Sequence, residues 1–251
     1  MREGMPPGVN RLRAAVARAR YQMGDLWILL HNALVPVARA PVRSDLPEVR
    51  EIEERAQVPT DISDHLLTLF HESMELRPGL IVELGVRGGE STFAFERVAR
   101  LCGAHLISVD IEDCLSASSY PEWIFVQRDD VQFAGEFVDF CRERGIDPQI
   151  DVLFIDTSHQ YEHTCEEIRL WFPHLARRCT VFFHDTNLRP IGRRRDGRLI
   201  RGMDNRRNVI RAIEQYLGCA LEEVRDFERV CGEWHVKHHA CCHGLTILRR
   251  L

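Results

Sequence analysis

Short apolar runs alternate with longer amphipathic stretches through the central part of the chain. The apolar runs cover residues 80–84, 105–110, 123–127, 150–156 and 179–183. Most are followed by a stretch with helical periodicity, as expected of buried parallel strands joined by crossover helices. Those helical stretches cover residues 65–76, 92–101, 131–144, 161–176 and 208–217, and further strands are predicted at 221–230 and 244–248. The pattern therefore predicts an α/β fold with a mostly parallel sheet.

The first 60 residues differ from the rest and are predicted to form a helical extension and a linker. Residues 11–34 are rich in arginine and alanine and carry apolar positions at helical spacing. They are predicted to pack on the core, although a dimer arm, a lid over the substrate and a membrane-surface helix stay open. Three prolines between positions 36 and 47 indicate a linker. The folded domain is accordingly predicted to cover residues 61–251.

A glycine turn follows the first apolar run. Glu83 stands near the end of the run, and Gly85, Gly88 and Gly89 precede Ser91 in the first turn of the next helix. Gly85 permits a positive φ in the turn, and the other glycines let a ligand approach the backbone. The phosphate-binding G-x-G-x-x-G is excluded, because Glu83 replaces its first glycine and would repel a pyrophosphate. We expect the turn to bind a cationic amino-acid group, with the helix N-terminus favouring a negative group.

Acidic residues stand at the carboxyl ends of the later strands. Asp110 ends the second strand, roughly 20 residues after the glycine turn, where a carboxylate can accept both hydroxyls of an adenosine ribose. This position alone does not distinguish between an adenosyl cofactor and a nicotinamide cofactor. Asp156 and Asp185 follow the fourth and fifth strands. Adjacent parallel strands lie about 4.8 Å apart, so both carboxylates are predicted to emerge side by side at the ligand-binding edge.

With these acids in place, residues 80–248 resemble a class I S-adenosylmethionine (SAM) methyltransferase, and most closely the macrocin-type O-methyltransferases and the cephalosporin-hydroxylase-like proteins. The motifs that carry the resemblance are VELGVRGGEST, SVD, FIDTSHQYEHT, FFHDTN and HGLTILRRL. The resemblance implies a Rossmann-like sheet of seven strands, the last one antiparallel, with helices on both faces. It also implies that Glu83 and the backbone of residues 85–89 hold the methionine part of SAM, that Asp110 binds the ribose and that Asp129 meets the adenine. Asp130 follows directly, and a helix N-cap explains one of these two acids equally well.

The resemblance further implies a divalent metal. Several relatives hold Mg²⁺ with acids after the fourth and fifth strands, which here are Asp156 and Asp185. The third ligand is often an acid or amide beside the fifth-strand acid, and here Asn187 follows one position late. Mg²⁺ prefers oxygen ligands, so these three residues and the substrate would be sufficient. The acceptor must be aligned and deprotonated, with His159 beside Asp156 the preferred base and His184 the alternative.

The composition bears on three questions, namely whether the protein binds nucleic acid, whether its thiols are reduced and whether it spans a membrane. A net charge of −5 and a pI near 6.2 give no electrostatic reason to expect nucleic acid. The nine cysteines and the absence of a signal peptide indicate reduced thiols and a cytoplasmic enzyme. No apolar run reaches the roughly 18 residues of a membrane span.

Two further stretches invite a functional interpretation. The stretch 188–204 is irregular and rich in arginine, so it either grips an anionic acceptor or forms a solvated loop. Residues 231–243 contain a cysteine and histidine cluster that suggests zinc. A hairpin turn is favoured there, because the residues crowd into one stretch without paired ligand spacing.

The sequence as a whole predicts a SAM-dependent O-methyltransferase of natural product biosynthesis, assisted by Mg²⁺ and forming a homo-oligomer. Its acceptor is expected to be a hydroxyl of a small molecule or of a sugar-containing metabolite. A nicotinamide-dependent oxidoreductase is the first alternative, and Glu83 argues against it. A non-catalytic binding protein on the same fold is the second alternative, because fold does not certify function. No 2-His-1-carboxylate iron site is recognisable in the sequence.

Overall fold

The computed structural model of the chain describes residues 7–36 and 42–251. Its helices are α1 (Pro7–Leu34), α2 (Pro47–Arg55), α3 (Leu66–Met74), α4 (Glu90–Cys102), α5 (Asp130–Ala134), α6 (Phe137–Glu143), α7 (Tyr161–Trp171) and α8 (Asn208–Leu217). Its strands are β1 (Leu80–Leu84), β2 (His105–Asp110), β3 (Trp123–Gln127), β4 (Ile150–Ile155), β5 (Leu175–His184), β6 (Ile191–Arg193), β7 (Leu199–Arg201), β8 (Phe227–Cys231), β9 (Trp234–His239) and β10 (Leu245–Arg250). Alternation of apolar runs and helical stretches thus produces the predicted α/β fold.

The main sheet has the strand order β3-β2-β1-β4-β5-β10-β9-β8. The strands from β3 to β5 pair in parallel, whereas β10 pairs antiparallel with both β5 and β9. Helices cover both faces because successive β1 side chains point to opposite sides. Val82 packs into the core that includes α5 to α8, and Ile81 packs into the core that includes α2 to α4. The Rossmann-like mixed sheet is therefore confirmed.

The predicted count of seven strands is wrong for the residues that the structure describes, where the main sheet has eight. The additional strand is β9, which lies where the sequence predicted a turn. Trp234, Val236 and His238 are buried, and the residues between them are half-buried, so β9 has the period of a strand. Its polar histidines conceal that alternation in the sequence. The turns are confined to residues 232–233 and 240–244.

Two other elements differ from the predicted ones. The helix predicted at 131–144 is split into α5 and α6, with Gly135 as the C-cap of α5. The stretch predicted as irregular after β5 contains the hairpin of β6 and β7. In α2, Ile52 is fully buried in the same apolar core as α3 and α4. The domain boundary at residue 60 stays a prediction.

Helix α1 is attached to the β6–β7 hairpin. The side-chain amide of Asn32 donates to the Leu199 carbonyl at 2.9 Å and accepts the Leu199 N–H at 2.7 Å. Arg201 Nε donates to Asp25 Oδ1 at 2.9 Å. Among the described residues, no helix is long and apolar enough to cross a membrane.

Candidate functional site

Two cavities meet at the carboxyl edge of the parallel strands. The inner cavity, of about 520 Å³, is lined by Val109, Asp110, Asp129, Asp130, Thr157, Ser158 and His163 among others. The outer cavity, of about 620 Å³, is lined by Asn32, Asp61, Ile62, Gly88, Ser91, Arg194 and Leu199 among others. Gly85, Arg87 and Asp156 line both. A ligand in the inner cavity would therefore reach a molecule in the outer one beside Asp156.

The glycine turn requires glycine at two points. Gly85 has a φ of +89°, and a Cβ there would lie 2.1 Å from the carbonyl oxygen of Asp156. Gly89 has a φ of +76°, and its Cβ would lie 2.8 Å from the Ala117 carbonyl oxygen. Positive φ and close backbone contact both exclude larger residues. The turn is thus fixed against the loop that carries Asp156.

Glu83 lies beneath this turn and is fully buried. Its carboxylate accepts hydrogen bonds from the hydroxyls of Ser91 at 2.6 Å, Thr92 at 2.8 Å and Ser108 at 2.5 Å. These contacts join β1, β2 and α4. The predicted contact of Glu83 with the methionine part of a cofactor finds no support in them and stays a prediction.

We expect Glu83→Gln to flatten the pH dependence of stability. Burial raises the pKa of Glu83 from 4.5 to about 7. Between those values the folded state binds more protons than the unfolded state, so stability falls as pH rises, by on the order of 3 kcal/mol. Urea unfolding at several pH values across this window measures the slope, with the exposed Glu162→Gln as control. If the free energy of unfolding changes equally with pH in wild type and in Glu83→Gln, the raised pKa of Glu83 is contradicted.

Asp110 holds the glycine turn from the neighbouring strand. Its Oδ2 accepts the backbone N–H groups of Val86 at 2.8 Å and Arg87 at 3.2 Å, and its Oδ1 accepts that of Glu112 at 2.9 Å. Burial alone would raise the pKa of Asp110, but these N–H groups outweigh it and lower the pKa. Oδ2 already accepts two N–H groups, whereas Oδ1 accepts one and has a second lone pair. Asp110 can therefore also accept a hydroxyl of a ligand in the inner cavity.

The two acids after β3 have different environments. Asp129 is the N-cap of α5 and accepts the Gln132 N–H at 2.9 Å. Asp130 is buried, and its Oδ1 lies 3.1 Å from His163 Nε2. Both acids line the inner cavity. The N-cap interpretation thus applies to Asp129, and its predicted contact with adenine stays open.

The strand-end acids of β4 and β5 are brought together with two histidines. His159 Nε2 lies 3.0 Å from both Asp156 Oδ1 and Asp185 Oδ2. His184 Nδ1 lies 3.3 Å from Asp156 Oδ2 and 3.5 Å from Asp185 Oδ1. Asp156, His159, His184 and Asp185 are the candidates for catalysis, and for that reason we call them the catalytic cluster. Sequence analysis treated the histidines as alternative bases, whereas the structure assembles both with both acids.

Backbone conformation explains this convergence. Side chains of adjacent strand residues point to opposite faces, so His184 and Asp185 would normally diverge. Asp185 has a φ of +57°, in the left-handed region, which turns its side chain back toward the cluster. His159 has a φ of +55° in the loop after β4. Non-glycine residues in this region carry strain that clusters at functional sites.

The catalytic cluster fits a cation. Both ring nitrogens of His184 and Oδ1 of Asp185 are buried without a hydrogen-bond partner among the described residues. Burial lowers the pKa of His184, but the charges of Asp156 and Asp185 outweigh it and raise that pKa to about 10. A cluster that holds a proton so strongly favours positive charge between its carboxylates. Ligand atoms of Asp156, His184 and Asp185 lie within 4.8 Å of one another, a separation suited to a metal ion.

Asn187, the predicted third metal ligand, has other partners. Its Oδ1 accepts a hydrogen bond from Arg189 Nε at 2.9 Å, and its Nδ2 donates to the Ala240 carbonyl at 2.8 Å. His184 stands with the two acids instead. Asn187 follows Asp185 one position later than the third ligand of the relatives does, and in the structure its side chain does not join the two acids. Asn187 holds the chain after β5 against the turn before β10.

The cysteine and histidine segment packs behind the catalytic cluster. The ring of His65 contacts that of His184 edge-on, with centroids 5.8 Å apart, and lies 6.3 Å from that of His239. His65 Nε2 is 3.0 Å from the Cys241 carbonyl oxygen. Burial lowers the pKa of His65 well below its ordinary value, so it is neutral. The segment therefore supports the orientation of His184, a role that the sequence analysis missed because it needs contacts far apart in the chain.

The arginines of the outer cavity are engaged by carboxylates. Arg194 pairs with Asp64, Arg198 with Asp196, Arg201 with Asp25 and Arg87 with Asp61. Guanidinium groups held by carboxylates have less charge to offer an anion. The interpretation of the arginine-rich stretch 188–204 as a binding site for an anionic acceptor therefore loses its support.

Arg194 is expected to stabilise the fold. It is buried, and its guanidinium donates to the Thr60 carbonyl at 2.8 Å, Ser63 Oγ at 2.7 Å and Asp64 Oδ1 at 2.9 Å. Arg194→Leu leaves Asp64, whose side chain is 11% exposed, without its cation, which should lower the free energy of unfolding by about 3 kcal/mol. The exposed neighbour Arg193→Ala should change it by less than about 0.5 kcal/mol. Equal stability of the two variants, measured by urea unfolding, would show that Arg194 is free for a ligand.

Comparisons with known proteins bear on the domain and the fold. Residues 82–186 match the family model described as a methyltransferase domain. No curated protein matches the chain significantly. Among solved structures, the chain resembles a putative caffeoyl-CoA O-methyltransferase from Staphylococcus aureus, with 13% identity, a TM-score of 0.51 and coverage of 90% of this chain and 98% of that one.

Two further structures share the fold. The Podospora anserina methyltransferase PaMTH1, bound to S-adenosylhomocysteine (SAH), has 10% identity, a TM-score of 0.52 and full coverage of both chains. MycE methyltransferase from the mycinamycin biosynthetic pathway has 16% identity and a TM-score of 0.51, with 82% of this chain covered. The chain spans 55% of MycE. At these identities, the likeness establishes the fold.

Proposed function

We propose that the chain is a SAM-dependent enzyme that transfers the methyl group to a hydroxyl of a small-molecule acceptor, as the match of residues 82–186 to a methyltransferase domain supports. The observation that carries the proposal is the position of Asp156, which lines both cavities and belongs to the catalytic cluster. SAM would occupy the inner cavity, with its ribose at Asp110 and its adenine near Asp129. The acceptor would occupy the outer cavity. The methyl group would then cross between them beside the base.

Methyl transfer is an in-line displacement at carbon, so the protein must align the acceptor and remove its proton. His159 is the proposed base because Asp156, which lines both cavities, orients its ring: Nε2 lies 3.0 Å from Asp156 Oδ1 and from Asp185 Oδ2. With the Nε2–H held by these carboxylates, Nδ1 would accept the proton of the acceptor. His184 is buried behind the acids and is the proposed metal ligand. The glycine turn excludes side chains from the path of the cofactor.

We propose that Asp156, His184 and Asp185 hold a divalent metal. Bound there, the ion would lower the pKa of the acceptor hydroxyl. MycE, a structural relative from the mycinamycin biosynthetic pathway, forms a complex with Mg, SAH and mycinamycin VI, which supports a metal and a small molecule of a biosynthetic pathway as acceptor. The imidazole of His184 adds a nitrogen ligand, which Mn²⁺ or Fe²⁺ accept more readily than Mg²⁺ does.

The outer cavity favours a neutral acceptor rich in hydroxyls. The arginines that line it each have a carboxylate partner, such as Asp61 for Arg87 and Asp64 for Arg194, so they offer donors without a large net charge. Its apolar wall includes Ile62, Val86 and Leu199. Asn32 of α1 also lines it, so among the interpretations of the N-terminal segment we favour a lid. Homo-oligomerisation stays a prediction, to be tested by the mass in solution with and without residues 1–40.

Cofactor binding is tested by calorimetric titration with SAH. We expect binding to wild type and an affinity at least about tenfold lower in Asp110→Ala, because carboxylate hydrogen bonds to the ribose are lost. The exposed Asp113→Ala is the matched control. Binding of a nicotinamide cofactor in place of SAH would overturn the proposal and favour an oxidoreductase.

A further inference from the structure

A separate group of candidate ligand atoms lies where α5 meets α7. It consists of Asp130, His163 and Glu167, whose ligand atoms lie within 4.8 Å of one another. His163 and Glu167 stand four residues apart on α7 and so share one face of the helix. Asp130 begins α5. Asp130 and His163 line the inner cavity, so the group can be reached from solvent.

The spacing within this group suits a shared ion. His163 Nε2 lies 3.1 Å from Asp130 Oδ1 and 3.6 Å from Glu167 Oε1. Ligands about 2.1 Å from a metal lie roughly 3.0 to 3.4 Å apart in octahedral or tetrahedral arrangements. Small side-chain movements would bring all three onto one ion.

Buried oxygen atoms in the group lack donors. Asp130 Oδ2 and Glu167 Oε2 have no hydrogen-bond partner among the described residues. Glu167 is fully buried, and Asp130 is 5% exposed. Thr157 donates only to the other oxygen of Glu167, at 2.6 Å. Buried carboxylate oxygens without partners are costly, and a cation would compensate for the missing donors.

The charges of the group also call for a cation. Burial and the neighbouring Asp130 raise the pKa of Glu167 to about 8. The hydrogen bond to Asp130 raises the pKa of His163 to about 9. Both directions follow from the negative charge that Asp130 and Glu167 bring together beside His163. A divalent ion with a neutral imidazole would balance both carboxylates.

We propose that Asp130, His163 and Glu167 bind a divalent transition-metal ion, at a site distinct from the catalytic cluster. One imidazole and two carboxylates suit Mn²⁺, Fe²⁺ or Zn²⁺ better than Mg²⁺ or Ca²⁺, which prefer oxygen ligands alone. The ion would join α5 to α7 and so fix the wall of the inner cavity that carries Asp129. The proposal stands whether or not the chain methylates a hydroxyl, because none of its residues belongs to the catalytic cluster.

The test is titration of the full chain with Mn²⁺ alone, with free ion followed by electron paramagnetic resonance. The Asp185→Ala variant serves as background, because it disables the catalytic cluster. We expect one Mn²⁺ to remain bound in that background. Adding His163→Ala should weaken its binding by at least about tenfold. Glu167→Gln, which keeps the shape of the side chain, should do the same, and the exposed His71→Ala should have no effect.

Anomalous scattering at the manganese edge from crystals of the Asp185→Ala variant should place the ion between His163 and Glu167. Failure of that variant to bind Mn²⁺ would overturn the proposal and indicate that Asp130 and Glu167 share a proton instead. Binding that is unchanged by His163→Ala and Glu167→Gln would also overturn it. SAH titration of wild type tests the methyltransferase proposal separately, so the two can fail independently.

Discussion

Asp156→Asn is expected to lower kcat/KM for methyl transfer by about 10³-fold. Asp156 accepts a hydrogen bond from His159 at 3.0 Å and lies 3.3 Å from His184 Nδ1. Asparagine keeps the shape but removes the charge that orients the base and would bind the metal, and such losses fall in the range of about 10² to 10⁴. The measurement is methyl incorporation under saturating SAM. Affinity for SAH should change by only a few-fold, because Asp110 and the glycine turn are intact.

The matched control for this variant is Asp151→Asn. Asp151 lies on the same strand, β4, but at its amino-terminal end, where it accepts the N–H groups of Gly79 and Leu80. The Asp151→Asn substitution removes the same charge at a position away from the cavities, so kcat/KM should be nearly unchanged. If both variants retain wild-type kcat/KM, the catalytic cluster has been misplaced.

His159→Gln is expected to lower kcat by about 10²-fold or more. A positioned general base typically contributes between about 10² and 10⁴. Glutamine can still donate a hydrogen bond to Asp156 or Asp185, so the fold and the affinity for SAH should be preserved. Steady-state kinetics over a range of acceptor concentrations separates kcat from KM.

The control for the base is His105→Gln, at the exposed start of β2. It should leave kcat unchanged. A loss of kcat in His184→Gln but not in His159→Gln would assign the base to His184 instead. A loss confined to KM would make His159 a residue that only positions the acceptor.

Much of the fold could be predicted because its signals are local. The run of residues 80–84 is apolar and ends in a glycine turn, which is enough to indicate a buried strand and a crossover helix. By contrast, β9 was missed because one of its buried positions is the polar His238, which interrupts the apolar alternation begun by Trp234 and Val236. Helix α5 ends early because Gly135 interrupts it, a signal that was present in the sequence and was not used.

The positions of single site residues could be predicted from the sequence more readily than the contacts between them. Asp110, Asp156 and Asp185 were placed at the correct sheet edge from strand order alone. The partners of Glu83 and Asn187 depend on which elements pack together, and the structure gives both residues partners that spacing does not indicate. The partners of the arginines of the outer cavity could not be predicted either, because their carboxylates come from distant segments of the chain.

The sequence by itself determined the alternation of strands and helices, the glycine turn and the acids at the strand ends, because periodicity and turn chemistry act over a few residues. Tertiary structure decided that His159 and His184 converge on Asp156 and Asp185. That convergence depends on two left-handed backbone angles and on the packing of His65, which the cysteine and histidine segment contacts, against His184. It also decided the grouping of Asp130 with His163 and Glu167. Such contacts join residues far apart in the chain, and their geometry is set by packing, which no local pattern encodes.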